Sequence, residues 1–180
     1  MKALSSRKQH DWGIAPQFES PLEWQNAVFE LTTLEHNIAP CTQLMTLSRT
    51  AKAIYAEFKL VVLPKLIEAG KLDVHLGADD LVPIFLYVLS RSGLQQPILT
   101  NERMWALCHP GQLSRECGYY LTLFESCLDY IENENVVVSM ESELSDSSAD
   151  STEGSRYRSV TRTGVDWLRG RNRAATKISF

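Results

Sequence analysis

The chain has 180 residues, of which 44% are hydrophobic and 22% charged, with a formal net charge of −4 from 18 basic and 22 acidic side chains. That length suits one domain of about 100–200 residues, and the apolar content supports a sizeable core. A wholly disordered chain, a collagen-like fibre and a disulfide miniprotein are excluded, and the acidic balance offers no general basic field for nucleic acid.

Residues 1–20 are polar and punctuated by Gly13, Pro16 and, just beyond, Pro21; they read as a loose, flexible arm. Met1-Lys2-Ala3-Leu4 and the residues after them hold no apolar stretch of the signal-peptide kind. Apolar positions then recur at helical spacing from residue 22 to about 131, which predicts an all-α body. The first predicted helix, 22–36, carries Trp24, Val28, Leu31 and Leu34 on one side, and Pro40 stops it or starts the next. Over 42–58, Leu44, Leu47, Ala51, Ile54 and Phe58 form one stripe of an amphipathic helix. The mixed stretch 60–76 contains Pro64 and Gly70 and reads as a connection.

Residues 79–92 differ in kind. Their core, 81–89, is apolar all round, as in a helix at the centre of a bundle. The run is shorter than the about 20 residues of a membrane span. Pro83 fits the first turn of a helix, which puts the N-cap near Asp80. Asp79 then falls outside the helix beside Gly77 with nothing to cap; it reads either as a solvated loop aspartate or as a functional one.

In the last predicted helix, Tyr120, Leu121, Leu123, Phe124, Cys127, Leu128, Tyr130 and Ile131 share an inner arc. Tyr119 and Thr122, three apart, share the outer face. Tyr119 is a candidate binding residue or a boundary tyrosine covering the core edge. Gly118 before it lets another backbone approach closely. From 139 to 155 the chain holds seven serines and five acids, a composition of disorder. From 156 to 180 it carries seven basic residues against Asp166 alone, the pattern of an interaction tail. Those cations could also attract an anionic membrane, although no amphipathic face accompanies them.

Chemistry of the covalent kind finds no support. GxSxG, GxxxxGK[ST], HExxH and GxGxxG are absent, and His10, His36, His75 and His109 are scattered. Cys41, Cys108, Cys117 and Cys127 form no CxxC pair and read as thiols buried like small hydrophobes. Cys108, His109 and Cys117 lack the fourth ligand and paired spacing of a structural zinc site, so neither metal nor cofactor is expected.

Four ordered motifs carry a resemblance. Residues 77–88, Gly-Ala-Asp-Asp-Leu-Val-Pro-Ile-Phe-Leu-Tyr-Val, resemble the "ADD-(L/F)-x-P-x-(L/F)-x-Y-V" signature of the vacuolar protein sorting 9 domain family. Glu116-Cys117-Gly118-Tyr119-Tyr120-Leu121-Thr122 is similar to its "E-x-G-Y-Y-L-T" motif, and 108–113 to its "NPxxL" turn. Residues 39–54 resemble its "tP" helix, with Gln43 where the family has lysine. The resemblance implies a layered helical bundle over 21–135, followed by a disordered tail, 136–180. It implies a guanine nucleotide exchange factor for Rab GTPases of the early-endosomal (Rab five) branch, cytoplasmic and peripherally recruited to endosomes. Asp79 is expected to be the acidic finger that competes with nucleotide phosphates, and Tyr119 to pack on the opened switch region. Pro83, Thr122, Asp80 and Gly118 are expected to shape the GTPase-binding groove. The family's usual upstream helical layer has no counterpart before residue 22, and the connection 59–76 is longer than in compact members. A short isoform or the catalytic end of a larger protein is therefore expected. The rival expectation is a helical scaffold that binds a GTPase without catalysis.

Overall fold

The computed structural model describes residues 5–71 and 74–146. Trp24 terminates the first helix at its N-terminal side: Glu23 and Trp24 both hold positive φ, 54° and 57°, so α1 runs only Gln25–Thr32. Two adjacent bulky residues in the left-handed region are costly, at about 1–2 kcal/mol each. The neighbouring structure must hold them there. Trp24, Leu31 and Leu34 of the predicted stripe are fully buried nonetheless.

Pro40 opens α2, Pro40–Glu57, at a position where its missing N–H costs nothing. Leu44, Leu47, Ala51, Ile54 and Phe58 are buried as the stripe requires. The helical run does not stop there, which corrects the reading of 60–76 as a connection. A π turn, Phe58–Val62, leads into α3, Leu63–Glu68, with Pro64 in its first turn. A wider i→i+5 turn just ahead of a proline absorbs the ring that would clash inside a regular α-helix. The run ends at Gly70, whose φ of 81° lets its N–H reach the Ile67 carbonyl at 2.9 Å.

Helix α4, Ala78–Arg91, is the central element. Leu81, Ile84, Phe85, Leu86, Tyr87, Val88 and Leu89 are all buried. Helices α1 and α6 and a 3-10 turn, Gln9–Trp12, pack around it, while α2 packs on α1, α5 and α6. Helix α5, Pro97–Leu107, is absent from the sequence reading: its buried face is Thr100, Asn101 and Met104, so no apolar stripe betrays it. Helix α6, Arg115–Asp146, buries the predicted inner arc except Tyr130, which is half-buried, and exposes Tyr119 and Thr122. Its backbone continues into the serine-rich acidic stretch, since no Gly or Pro interrupts 119–153. The remainder of the predicted tail, 147–180, lies outside the described residues. Among the described residues the fold is an all-α layered bundle.

The N-terminal segment departs from a loose arm. Trp12, Ile14 and Phe18 are buried in the core, the last edge-on to Phe58 at 5.9 Å between ring centres. Gln9 brackets the segment onto the body. Its Nε2 donates to the Ser20 carbonyl (2.8 Å), and its Oε1 accepts from Ser20 N–H and the Trp24 indole N–H, both at 2.9 Å. Glu57, 4% exposed, accepts the Ser20 hydroxyl and, at 2.9 Å, the Trp24 backbone N–H. These bonds fix the left-handed pair Glu23–Trp24.

Candidate functional site

The site begins with how α4 starts. The N-cap is Gly77, three residues earlier than Asp80, because Asp80 caps from inside the helix: its Oδ2 accepts the Gly77 N–H at 3.1 Å. Asp79 thereby moves from the predicted loop into the first turn, exposed to solvent, where a carboxylate complements the helix dipole. Pro83 lies inside the helix rather than in its first turn, and is buried. With no N–H, it cannot donate to the Asp79 carbonyl four residues back.

The start of α6 is set by the turn before it. Gln112 N–H donates to the His109 carbonyl (2.8 Å), His109 N–H to Gln112 Oε1 (3.0 Å), and Gly111 N–H to His109 Nδ1 (3.0 Å). His109 is thus used up in folding this turn. The turn brings the Leu113 carbonyl against Gly118, where an added Cβ would sit 1.9 Å from that oxygen. The close backbone approach foreseen at Gly118 is made by the chain itself. Thr122 donates its hydroxyl to the Gly118 carbonyl at 3.0 Å.

Tyr119 emerges between these residues, 46% exposed, with its ring edge-on to Tyr120 at 5.3 Å. Partial burial raises its pKa, aided by Tyr55 and then by the negative charge of Asp79. Asp79 of α4 and Tyr119 of α6 therefore share one electrostatic neighbourhood, with Tyr55 of α2 as a third member. Tyr55 escaped the sequence reading, although it follows Ala51 by four residues and so borders the α2 stripe. Burial raises the Tyr55 pKa, and burial followed by Glu116 pushes Tyr120 up to about 12. All three phenols stay neutral near pH 7, so none can serve as a base there.

Glu116 links α2 to α6: the Ser48 hydroxyl lies 3.5 Å away and Lys52 Nζ 3.8 Å away. Burial raises the pKa of Cys127 and of Cys108, so neither thiol is a poised nucleophile. Among the described residues no group of three or more His, Cys, Asp or Glu gathers to hold a metal. What the arrangement offers is a carboxylate at a helix N-terminus beside an exposed tyrosine, on a face built by two well-anchored helices. Such a face suits a protein partner better than a small substrate.

A surface of this kind on an all-α bundle defines a protein-binding domain, and the comparisons say which. Residues 24–136, more than half of the chain, match the vacuolar sorting protein 9 (VPS9) domain, and the chain belongs to that family, a family of Rab guanine nucleotide exchange domains. It is 29% identical over 123 residues to mouse "Ras and Rab interactor 3", covering 68% of this chain and 12% of that protein. It is 44% identical over 57 residues to human "VPS9 domain-containing protein 1", covering 32% of this chain and 9% of that protein. To Drosophila melanogaster "Protein sprint" it is 38% identical over 58 residues, 32% of this chain and 3% of that protein. The chain thus spans a small part of the length of these relatives.

Proposed function

We propose that this chain is a guanine nucleotide exchange factor for small GTPases of the early-endosomal Rab five branch, acting in endocytic traffic. The observation that carries the reading is the VPS9 domain itself, in which Asp79 and Tyr119 are both exposed and within electrostatic reach of each other. Exchange needs no covalent step. A protein that binds the nucleotide-free GTPase best lowers the barrier to nucleotide release. Asp79 supplies negative charge to a phosphate-binding lysine once the phosphates leave, and Tyr119 packs against the displaced switch segment. Thr122 borders the same contact. Pro83, Asp80 and Gly118 act from behind, by setting the start of α4 and the entry to α6. Recruitment to endosomes is peripheral on this reading; no helix among the described residues is long and apolar enough to cross a membrane.

A tenfold change in release corresponds to about 1.4 kcal/mol, and one charge-assisted contact contributes about 1.5–3 kcal/mol. Asp79→Ala is therefore expected to slow exchange by roughly one to two decades. The test is release of fluorescent GDP from a panel of purified Rab GTPases. Acceleration confined to early-endosomal members and lost in Asp79→Ala, with an unchanged thermal melt, is the expected result. No acceleration by the cooperatively folded wild-type chain overturns the reading in favour of a binding scaffold.

A further inference from the structure

A second feature lies at the other end of α4. Arg91 closes that helix about 18 Å along the axis from Asp79, at 1.5 Å per residue. There the α4–α5 loop and the middle of α6 enclose a groove of about 560 Å³. Leu94, Leu128 and Ile131, all buried, form its apolar floor, with Pro97 and the half-exposed Ile98 beside them. Arg91 and Glu132 supply its charge. Glu132 is also the last of three acids, Glu125, Asp129 and Glu132, spaced four and three apart along one face of α6. The groove is thus apolar in the middle with Glu132 at one border, and Glu125 and Asp129 continue that face of α6 beyond it.

The chain carries one segment with the complementary pattern. After Asp146 the sequence is dominated by serine, acids and arginine, and its large apolar residues concentrate at Val165, Trp167 and Leu168. Arg169, Arg171 and Arg173 follow directly. Aromatic and aliphatic anchors beside alternate cations match an apolar floor with Glu132 at its border, and the Arg91 charge is already met by Glu23 at 2.8 Å.

Reach agrees as well. From Ile131 to Asp146, α6 climbs about 22 Å. The 18 residues 147–164 provide enough chain length to cover that distance, since a random coil of that length has a root-mean-square span of about 24 Å. A tether whose span matches the gap gives an effective concentration in the millimolar range, so a contact that is weak between separate molecules is populated within one.

We infer that the segment 165–173 of this chain docks into the groove between the α4–α5 loop and α6, with Trp167 and Leu168 as anchors and the arginines at the Glu132 border. The contact is independent of the GTPase reading and leaves the Asp79 face uncovered. In effect it folds the basic tail back onto the body of the domain.

The experiment uses the full chain with labelled Ile and Leu methyl groups, followed by NMR. Trp167→Ala with Leu168→Ala removes the anchors without touching any described residue. The expected result is a shift of the Ile98, Leu128 and Ile131 methyl signals in that variant. In the wild type, contacts from the Trp167 ring to those methyls persist on dilution. Unchanged methyl signals overturn the proposal. So do contacts to the groove from residues 1–4, which precede Ser5 at its rim, or contacts seen only between differently labelled copies, which would assign the groove to the N-terminus or to a second molecule.

Discussion

Adding a methyl group at Gly118 sets two effects against each other. Alanine is the better helix former by about 0.5–1 kcal/mol, and α6 carries this glycine in its first turn. Against that, the new Cβ would lie 1.9 Å from the Leu113 carbonyl oxygen, a backbone atom that cannot swing aside. Overpacking of this kind costs about 1–3 kcal/mol or more, so the clash wins. Gly118→Ala is expected to lower stability by about 2 kcal/mol in urea unfolding and to disturb Tyr119 through the same turn. A second residue-scale consequence concerns pH. The Tyr120 phenol is raised from its ordinary value of 10.0 to about 12, by burial first and by Glu116 second. A group with a raised folded pKa contributes stability that is complete below the unfolded value and is lost as pH climbs through the folded one. Stability should therefore be level up to about pH 10 and decline from there toward 12. Tyr120→Phe should flatten that decline in denaturant titrations run across the window; an equally steep decline in the variant would exclude Tyr120 as its source.

Helix α2 ends on a residue that matters more to another element than to its own. Glu57 holds Ser20 and the backbone N–H of Trp24, whose left-handed conformation starts α1. Glu57→Ala leaves that buried N–H without an acceptor, at an expected cost of about 2–4 kcal/mol. Glu57→Gln keeps an oxygen in place and should cost distinctly less. Glu57→Met keeps the volume without an acceptor, so chemical denaturation of all three variants separates a lost acceptor, where Met falls with Ala, from mere volume, where Met falls with Gln. This bracket could not be read in the sequence, because it joins residues far apart in the chain. Helices α2 and α6 were legible because Leu44 to Phe58 and Tyr120 to Ile131 repeat with the helical period, and α4 because Leu81 to Leu89 is an unbroken apolar run. Helix α5 was not, since Thr100 and Asn101 occupy its inner face. Pro64 hid α3, because a π turn is not signalled by composition. Of the candidate site, Asp79 and Tyr119 were legible as residues with no structural task in view. The true N-cap at Gly77 and the nearness of Tyr55 were not, because both depend on where α4 begins and how α2 leans on α6.

At the scale of the molecule, the first twenty residues belong to the domain. Burying Trp12, Ile14 and Phe18 contributes about 1.5–3 kcal/mol each, which approaches the 5–15 kcal/mol that stabilises a typical domain. A chain lacking residues 1–20 is therefore expected to lose its cooperative thermal transition, although α2, α4 and α6 keep their helical pattern. Circular dichroism decides this: a sharp melt near the wild-type temperature would show that the segment is dispensable. The expectation of an arm failed here because Trp12 and Phe18 in short 3-10 turns and Ile14 between them have no period to detect.

That same segment sets an order of events during synthesis. Arg7 pairs with Glu134 at 3.0 Å and stacks over Trp12, and Trp12 in turn meets Tyr130 at 6.4 Å between ring centres. The earliest-made residues thus wait for some of the latest. At about 5–20 residues per second, the interval between making Arg7 and making Glu134 is about 6 to 25 s. Throughout it, Arg7 and Trp12 lack their partners on α6, although Phe18 can already meet Phe58. For an all-helical protein this is an unusually non-local closing step, and non-local closure slows folding. Until α6 is made, the Trp12 ring lacks its Tyr130 partner and remains available to a holdase.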